Sequence, residues 1–231
     1  MNDLYRPELD VENMPEGIQA LPVDRGYPIP WFVDWLDGKP EFRSMDQKKW
    51  VRAWRERLCW VCGGKMGRYF SFVLGPMCGV TKTTSEPPCH KACAEWSAKN
   101  CPFLARPHME RREGDEVAEM LKGNVAGFAI RRNPGVALVW TTTSYDVFDD
   151  GNGRPLIQVG EPISLSWYAE GRDATREEVE KSIKSGLPIL EQASALDTKH
   201  GAAEYLAKEL ARLETWYPVP DEASKRPAGS A

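Results

Sequence analysis

Two short pairs of metal-ligating residues, Cys59-Trp60-Val61-Cys62 and His90-Lys91-Ala92-Cys93, stand 27 residues apart in this chain. The pattern is C-x2-C-x27-H-x2-C. Two pairs at this spacing supply the four soft or borderline donors that a tetrahedral Zn²⁺ takes. Gly63 and Gly64 follow the first pair directly. Lacking a Cβ, they let backbone amides close around the thiolate sulfurs. The spacing predicts a metal site with zinc as its ion. Four protein ligands leave no coordination position for water, so the expected zinc is structural and not catalytic.

The other cysteines agree with this reading. All six lie between residues 59 and 101. A secreted disulfide framework spreads its bridges along the chain, whereas a local cluster binds metal. Cys89 stands four residues before Cys93 and shares its helical face, so it is an alternative to His90 as the third ligand. Cys78 and Cys101 are expected to pack as small hydrophobes. A redox reading of Cys59 and Cys62 needs a thioredoxin-like βαβ context, which the flanking sequence does not present.

Between the pairs, "RYFSFVLGPMCGVTKTT" has strand composition broken at Gly75-Pro76, which predicts a hairpin. Pro87 and Pro88 then open a helix through "CHKACAEWSAKNC", with His90 and Cys93 in its first turn. Knuckle, hairpin and ligand-bearing helix resemble the treble-clef zinc finger over residues 59–101. HNH-type endonucleases share that module, so the resemblance implies a nuclease as one alternative. Such a nuclease needs a hairpin histidine as general base and a second His or Asn for its catalytic ion. The hairpin here has no histidine, His108 lies in a proline-flanked linker, and Asn100 has no companion. A non-enzymatic protein is therefore expected, with a divergent nuclease or other enzyme as the alternative.

The whole chain reads as α+β. Residues 1–42 form an acidic arm followed by a hairpin, with Asp37-Gly38 as its turn. A helix is expected over about 45–58, opened by a capping box of Ser44 and Gln47. Its apolar stripe is Trp50, Val51, Trp54 and Leu58. The basic and metal-binding block spans 43–112, and a linker near 112 suggests a boundary before an α+β domain over 113–231. That last region begins with a short helix ending at Gly123. Three strands follow, the first two joined at Asp150-Gly151-Asn152-Gly153. Helices at about 175–185 and 199–215 complete it, the first opened by Thr175 and Glu178 as a capping box. The final ten residues have the composition of a tail.

Charge is segregated along the chain. Residues 43–112 carry 14 Lys/Arg and 5 Asp/Glu, against a chain total of −4. The basic block coincides with the cysteine block, which points to an anionic partner, nucleic acid or an acidic protein surface. Lys48, Arg52 and Arg55 fall opposite the Trp50/Trp54 stripe, and Lys65 and Arg68 extend the patch past the knuckle. Trp31, Trp35 and Trp60 cluster near the same region as a candidate recognition surface.

Other classes find no support. "DVFDDGNGRP" has the content of a calcium loop, but Asp146, Asp149 and Asp150 miss its alternating spacing. No phosphate-binding glycine loop or nucleophile elbow is present, and a small-molecule substrate is not expected. His200 stands alone near a helix start. No apolar run approaches the ~18 residues of a membrane span, and "MNDLYRPELDVENMPEG" is not a secretory leader, so the cytoplasm is the expected location. "RGYPIPWFV" and "SEPPCHKACAEWSAKNCPF" resemble an uncharacterised bacterial or bacteriophage protein family. That resemblance implies a regulatory or host-interaction role. Self-association, or a place in a larger assembly, is a further reading.

Overall fold

A computed structural model describes residues 4–105, 134–149, 151, 155–196 and 201–219. The mixture of helices and antiparallel strands expected from the sequence is present. The short helix at 115–123, the linker around residue 112, His108, His200 and the C-terminal tail lie outside the described residues.

The N-terminal arm is ordered and packed. A one-turn helix α1 (Glu16–Gln19) precedes a two-stranded ribbon, β1 (Val23–Asp24) and β2 (Tyr27–Pro28). Leu9, Met14, Ile18 and Ile29 are buried. The next hairpin, β3 (Val33–Leu36) and β4 (Lys39–Met45), turns at Asp37-Gly38 as expected. Both turn residues take positive φ, 49° and 74°, the requirement of a type I′ turn.

Helix α2 (Gln47–Glu56) differs from expectation at its start and on its inner face. Asp46 is the N-cap, accepting from the amides of Lys48 and Lys49. Ser44 stays in β4, its hydroxyl on the Asp34 carboxylate. The helix stops at Glu56 because Arg57 turns left-handed at φ 53°. Leu58 thereby leaves the helix and is buried with the knuckle. Only Trp50 and Ala53 of α2 face inward, while Val51 and Trp54 are each 40% exposed.

The segment between the ligand pairs is not a hairpin. Strand β5 (Phe70–Leu74) runs into helix α3 (Pro76–Thr81), then a short strand β6 (Thr83–Thr84). Gly75 is the N-cap of α3 and Pro76 its first residue. Proline fits there because its missing N–H would have no intrahelical partner. Helix α4 (Lys91–Asn100) and the short α5 (Pro102–Ala105) follow.

The C-terminal strands number two more than expected, because the first divides at Thr143-Ser144 and a short fifth strand is added. The result is β7 (Ala137–Thr142), β8 (Tyr145–Asp149), β9 (Pro155–Val159) and β10 (Ser164–Ala169). A short β11 (Arg172–Asp173) precedes two long helices, α6 (Arg176–Leu196) and α7 (Ala202–Glu214). The capping box of α6 is reciprocal: Glu178 N–H donates to Thr175 Oγ1 and Thr175 N–H to the Glu178 carboxylate.

Two sheets join the chain's halves. The larger has order β11-β10-β7-β5, so β5 from the metal-ligand region pairs with β7 along Phe70–Leu74. The smaller has order β6-β9-β8. Every residue of β7 is buried, as a central strand covered on both faces must be. Helix α4 packs on β5, β7 and β10, while α3 packs on β7 and against α6 and α7. One continuous cluster of buried side chains runs from Met14, Ile18 and Cys59 through Phe72 and Trp140 to Leu213.

Candidate metal centre

The knuckle is built by its own backbone. Leu58 bridges Lys65, Cys59 N–H donates to Gly64 O at 2.8 Å, and Gly63 N–H donates to Cys59 O at 2.8 Å. Gly63 sits at φ 73°, and a Cβ there would stand 2.7 Å from the Trp31 ring. This turn aims Cys59 and Cys62 at the start of α4. Ser71 and Cys89 exchange both backbone hydrogen bonds, and Trp60 N–H donates to Pro88 O. The second ligand pair is thus fastened to the first.

His90 is the N-cap residue of α4, and its side chain makes no capping bond. Cys93 lies one turn on. The ligating atoms of Cys59, Cys62, His90 and Cys93 all lie within 4.8 Å of one another. Around a tetrahedral zinc, bond lengths of ~2.0–2.3 Å put ligand atoms roughly 3.4–3.8 Å apart. His90 Nδ1 already stands 3.4 Å from Cys62 Sγ and 3.9 Å from Cys93 Sγ. The cluster is close enough to hold a metal ion, and three thiols with one imidazole are donors of the kind that zinc takes.

The surroundings of this set are also ordered. His90 Nε2 lies 2.9 Å from the carbonyl oxygen of Lys65. A carbonyl only accepts, so Nε2 carries the proton and Nδ1 presents its lone pair to the sulfurs. Such an outer bond fixes the tautomer and ring angle of a ligating histidine. Cys59 Sγ accepts the amides of His90 and Cys62 at 3.3 and 3.5 Å. Hydrogen bonds from the Cys62, Cys89 and Cys93 thiols hold Cys59 well below the ordinary thiol range. Sharing with Cys59 pushes the Cys62, Cys93 and Cys89 thiols up.

Cys89, the alternative to His90, stands beside this set, with its backbone in the bridge to Ser71 and its thiol pushed up by Cys59 and by burial. Cys78 is pushed up to about 11 and Cys101 is also raised, both chiefly by burial.

The basic residues share a region but not one state. Lys48 and Arg55 are exposed on α2. Arg52 is paired with Glu56 at 3.0 Å and lies over the Trp31 ring. Lys65 Nζ donates to Glu56 O at 2.7 Å, and Arg68 lies against Tyr69. The three-tryptophan surface does not form. Trp60 is 1% exposed and stacked on Phe32, Trp31 meets it edge-on, and only Trp35 is largely exposed. Asn100 is occupied by the arm, accepting Asp10 N–H at 2.8 Å.

Sequence reasoning missed Lys65's carbonyl and Gly17. The first is a backbone acceptor, which no residue pattern announces. Gly17 belongs to the arm, where a Cβ would sit 3.0 Å from Cys62 Sγ.

No protein-family model, curated protein or solved structure matches the chain. Among the described residues, no helix is long and apolar enough to cross a membrane.

Proposed function

We propose that the protein is a non-enzymatic binding protein. Its fold is held by a structural zinc on Cys59, Cys62, His90 and Cys93, and its α2 face meets an anionic partner. The observation that carries the metal reading is the mutual closeness of the four ligand atoms, with His90 held by Lys65 O. Four protein donors complete a tetrahedron, so the ion has no open position for chemistry.

The partner reading is supported by Lys48 and Arg55, which stand exposed seven residues apart on the outer side of α2. Val51 and Trp54 between them are exposed as well, so the surface offers cation and apolar area together. An acidic protein surface or a short nucleic acid suits such a face, and a regulatory or host-interaction role suits such a module. Arg52, Lys65 and Arg68 lie at its margin.

Metal analysis of the purified full chain, with identification of any co-purifying protein or nucleic acid, tests both readings. About one zinc per chain is expected. Lys48→Glu with Arg55→Glu should leave zinc content unchanged and abolish capture of the partner. Chains without zinc would overturn the first reading, and unchanged capture by the double variant would overturn the second.

A further inference from the structure

The N-terminal arm crosses both halves of the ligand set. Met14 and Ile18 are 3% and 1% exposed and share a buried cluster with Cys59, Trp60 and Cys93. At α4, Asp10 N–H donates to Asn100 Oδ1 and Trp96 Nε1 donates to Asp10 O, each at 2.8 Å. At the knuckle, Gly17 lies so close to Cys62 that a Cβ would meet its Sγ at 3.0 Å and its Cβ at 3.1 Å. Cys62 is only half-buried, and the backbone of α1 is what stands over its sulfur.

We propose that residues 4–19 act as a strap that controls metal exchange at the Cys59/Cys62/His90/Cys93 centre. This rests on the metal reading above. With the strap docked, Cys62 is shielded, and the knuckle and α4 are tied across the site. Exchange forms a bond from the donor atom of an incoming chelator or metal-accepting protein to the ion as the ion's bond to the Cys62 thiolate breaks. The incoming donor therefore needs an approach beside Cys62 that opens only when the strap lifts. Because a docked strap favours the bound ion, the bound ion must equally favour a docked strap. Metal loading and ordering of the N-terminus are two readings of one equilibrium.

The Asn100 side chain holds the arm through its bond from Asp10 N–H, which allows a mild test. Zinc-loaded full-length protein is mixed with an excess of 4-(2-pyridylazo)resorcinol, and the coloured zinc complex is followed in time. Asn100→Ala removes the acceptor for Asp10 N–H without touching a ligand. Loss of one such bond from the docked state should speed release by about fivefold. Asn100→Asp, which keeps an acceptor oxygen, should restore slow release. Gly17→Leu wedges α1 from Cys62 and should speed release further. Amide hydrogen exchange on the zinc-loaded proteins supplies a second measurement: protection over residues 9–19 should fall in Asn100→Ala and Gly17→Leu while that of β7 is kept.

Release rates in Asn100→Ala and Gly17→Leu equal to the unmodified protein would overturn the strap. So would protection over 9–19 in these two variants equal to that of the unmodified protein. A chain that carries no zinc at all would instead overturn the metal reading itself.

Discussion

His90 Nε2–H donates to the main-chain oxygen of Lys65 at 2.9 Å, which turns Nδ1 to within 3.4 Å of the Cys62 sulfur. The bond links the residue three positions past the knuckle to the first residue of the second ligand pair. It also separates the two nitrogens by role, one for the protein and one for the ion.

His90→Ala and Cys93→Ser should each lose stoichiometric zinc, while Cys89→Ser should keep it. Cys89 stands outside the set of four whose ligand atoms lie together. Inductively coupled plasma measurement on the three purified variants checks this. Zinc retained in His90→Ala and lost in Cys89→Ser would make Cys89 the third ligand.

Metal removal should melt the described fold as one unit. The knuckle and α4 share a buried cluster with Trp140 and Leu213, and β5 pairs with β7 along its length. Structural zinc contributes ~10–16 kcal/mol of apparent binding free energy in finger peptides, against a typical domain stability of about 5–15 kcal/mol. Strong chelator should therefore abolish the cooperative thermal transition followed by circular dichroism. A residual transition of unchanged midpoint would show that the sheet stands without the ion.

Much of this site was legible in the sequence, and for a local reason. The i, i+3 ligand pairs, the Gly63-Gly64 step, the Asp37-Gly38 turn and the Thr175/Glu178 box each act within a few residues, so their chemistry is written contiguously. What was not legible depends on distant partners. A Gly-Pro step breaks a hairpin and starts a helix equally well, and only the pairing of β5 with β7 decides between them. Val51 and Trp54 matched a helical stripe, yet α2 turns Trp50 and Ala53 inward and leaves both of them exposed. Nothing in the acidic arm's composition announced that Leu9, Met14 and Ile18 would each find a buried seat.

Helix α6 should depend on its capping box. Thr175→Ala leaves the Glu178 amide without its side-chain acceptor and should lower stability by about 1 kcal/mol. Glu178→Gln keeps the shape of that residue but loses the charge facing Arg172. Chemical denaturation at neutral pH checks both. An unchanged midpoint in Thr175→Ala would show that the cap contributes nothing.

Glu178 also sets a pH dependence. Hydrogen bonds from the Arg172 guanidinium, at 2.6 and 2.9 Å, hold its carboxyl down to about 2, from an ordinary value of 4.5. A carboxyl lowered on folding stabilises the native state above its unfolded value, and that contribution fades as pH falls towards the folded one. The stability advantage of the unmodified protein over Glu178→Gln should therefore be full above about 4.5 and vanish near 2. Its size is set by a partly solvated ion pair, so it should lie within about 1 kcal/mol. Denaturation midpoints of the two proteins, measured side by side from neutral pH down to the onset of acid zinc loss, check the start of this decline. The comparison cancels every other carboxylate, since both chains carry the same ones. Parallel curves at all pH values would mean that Arg172 gives this carboxylate no more than water does.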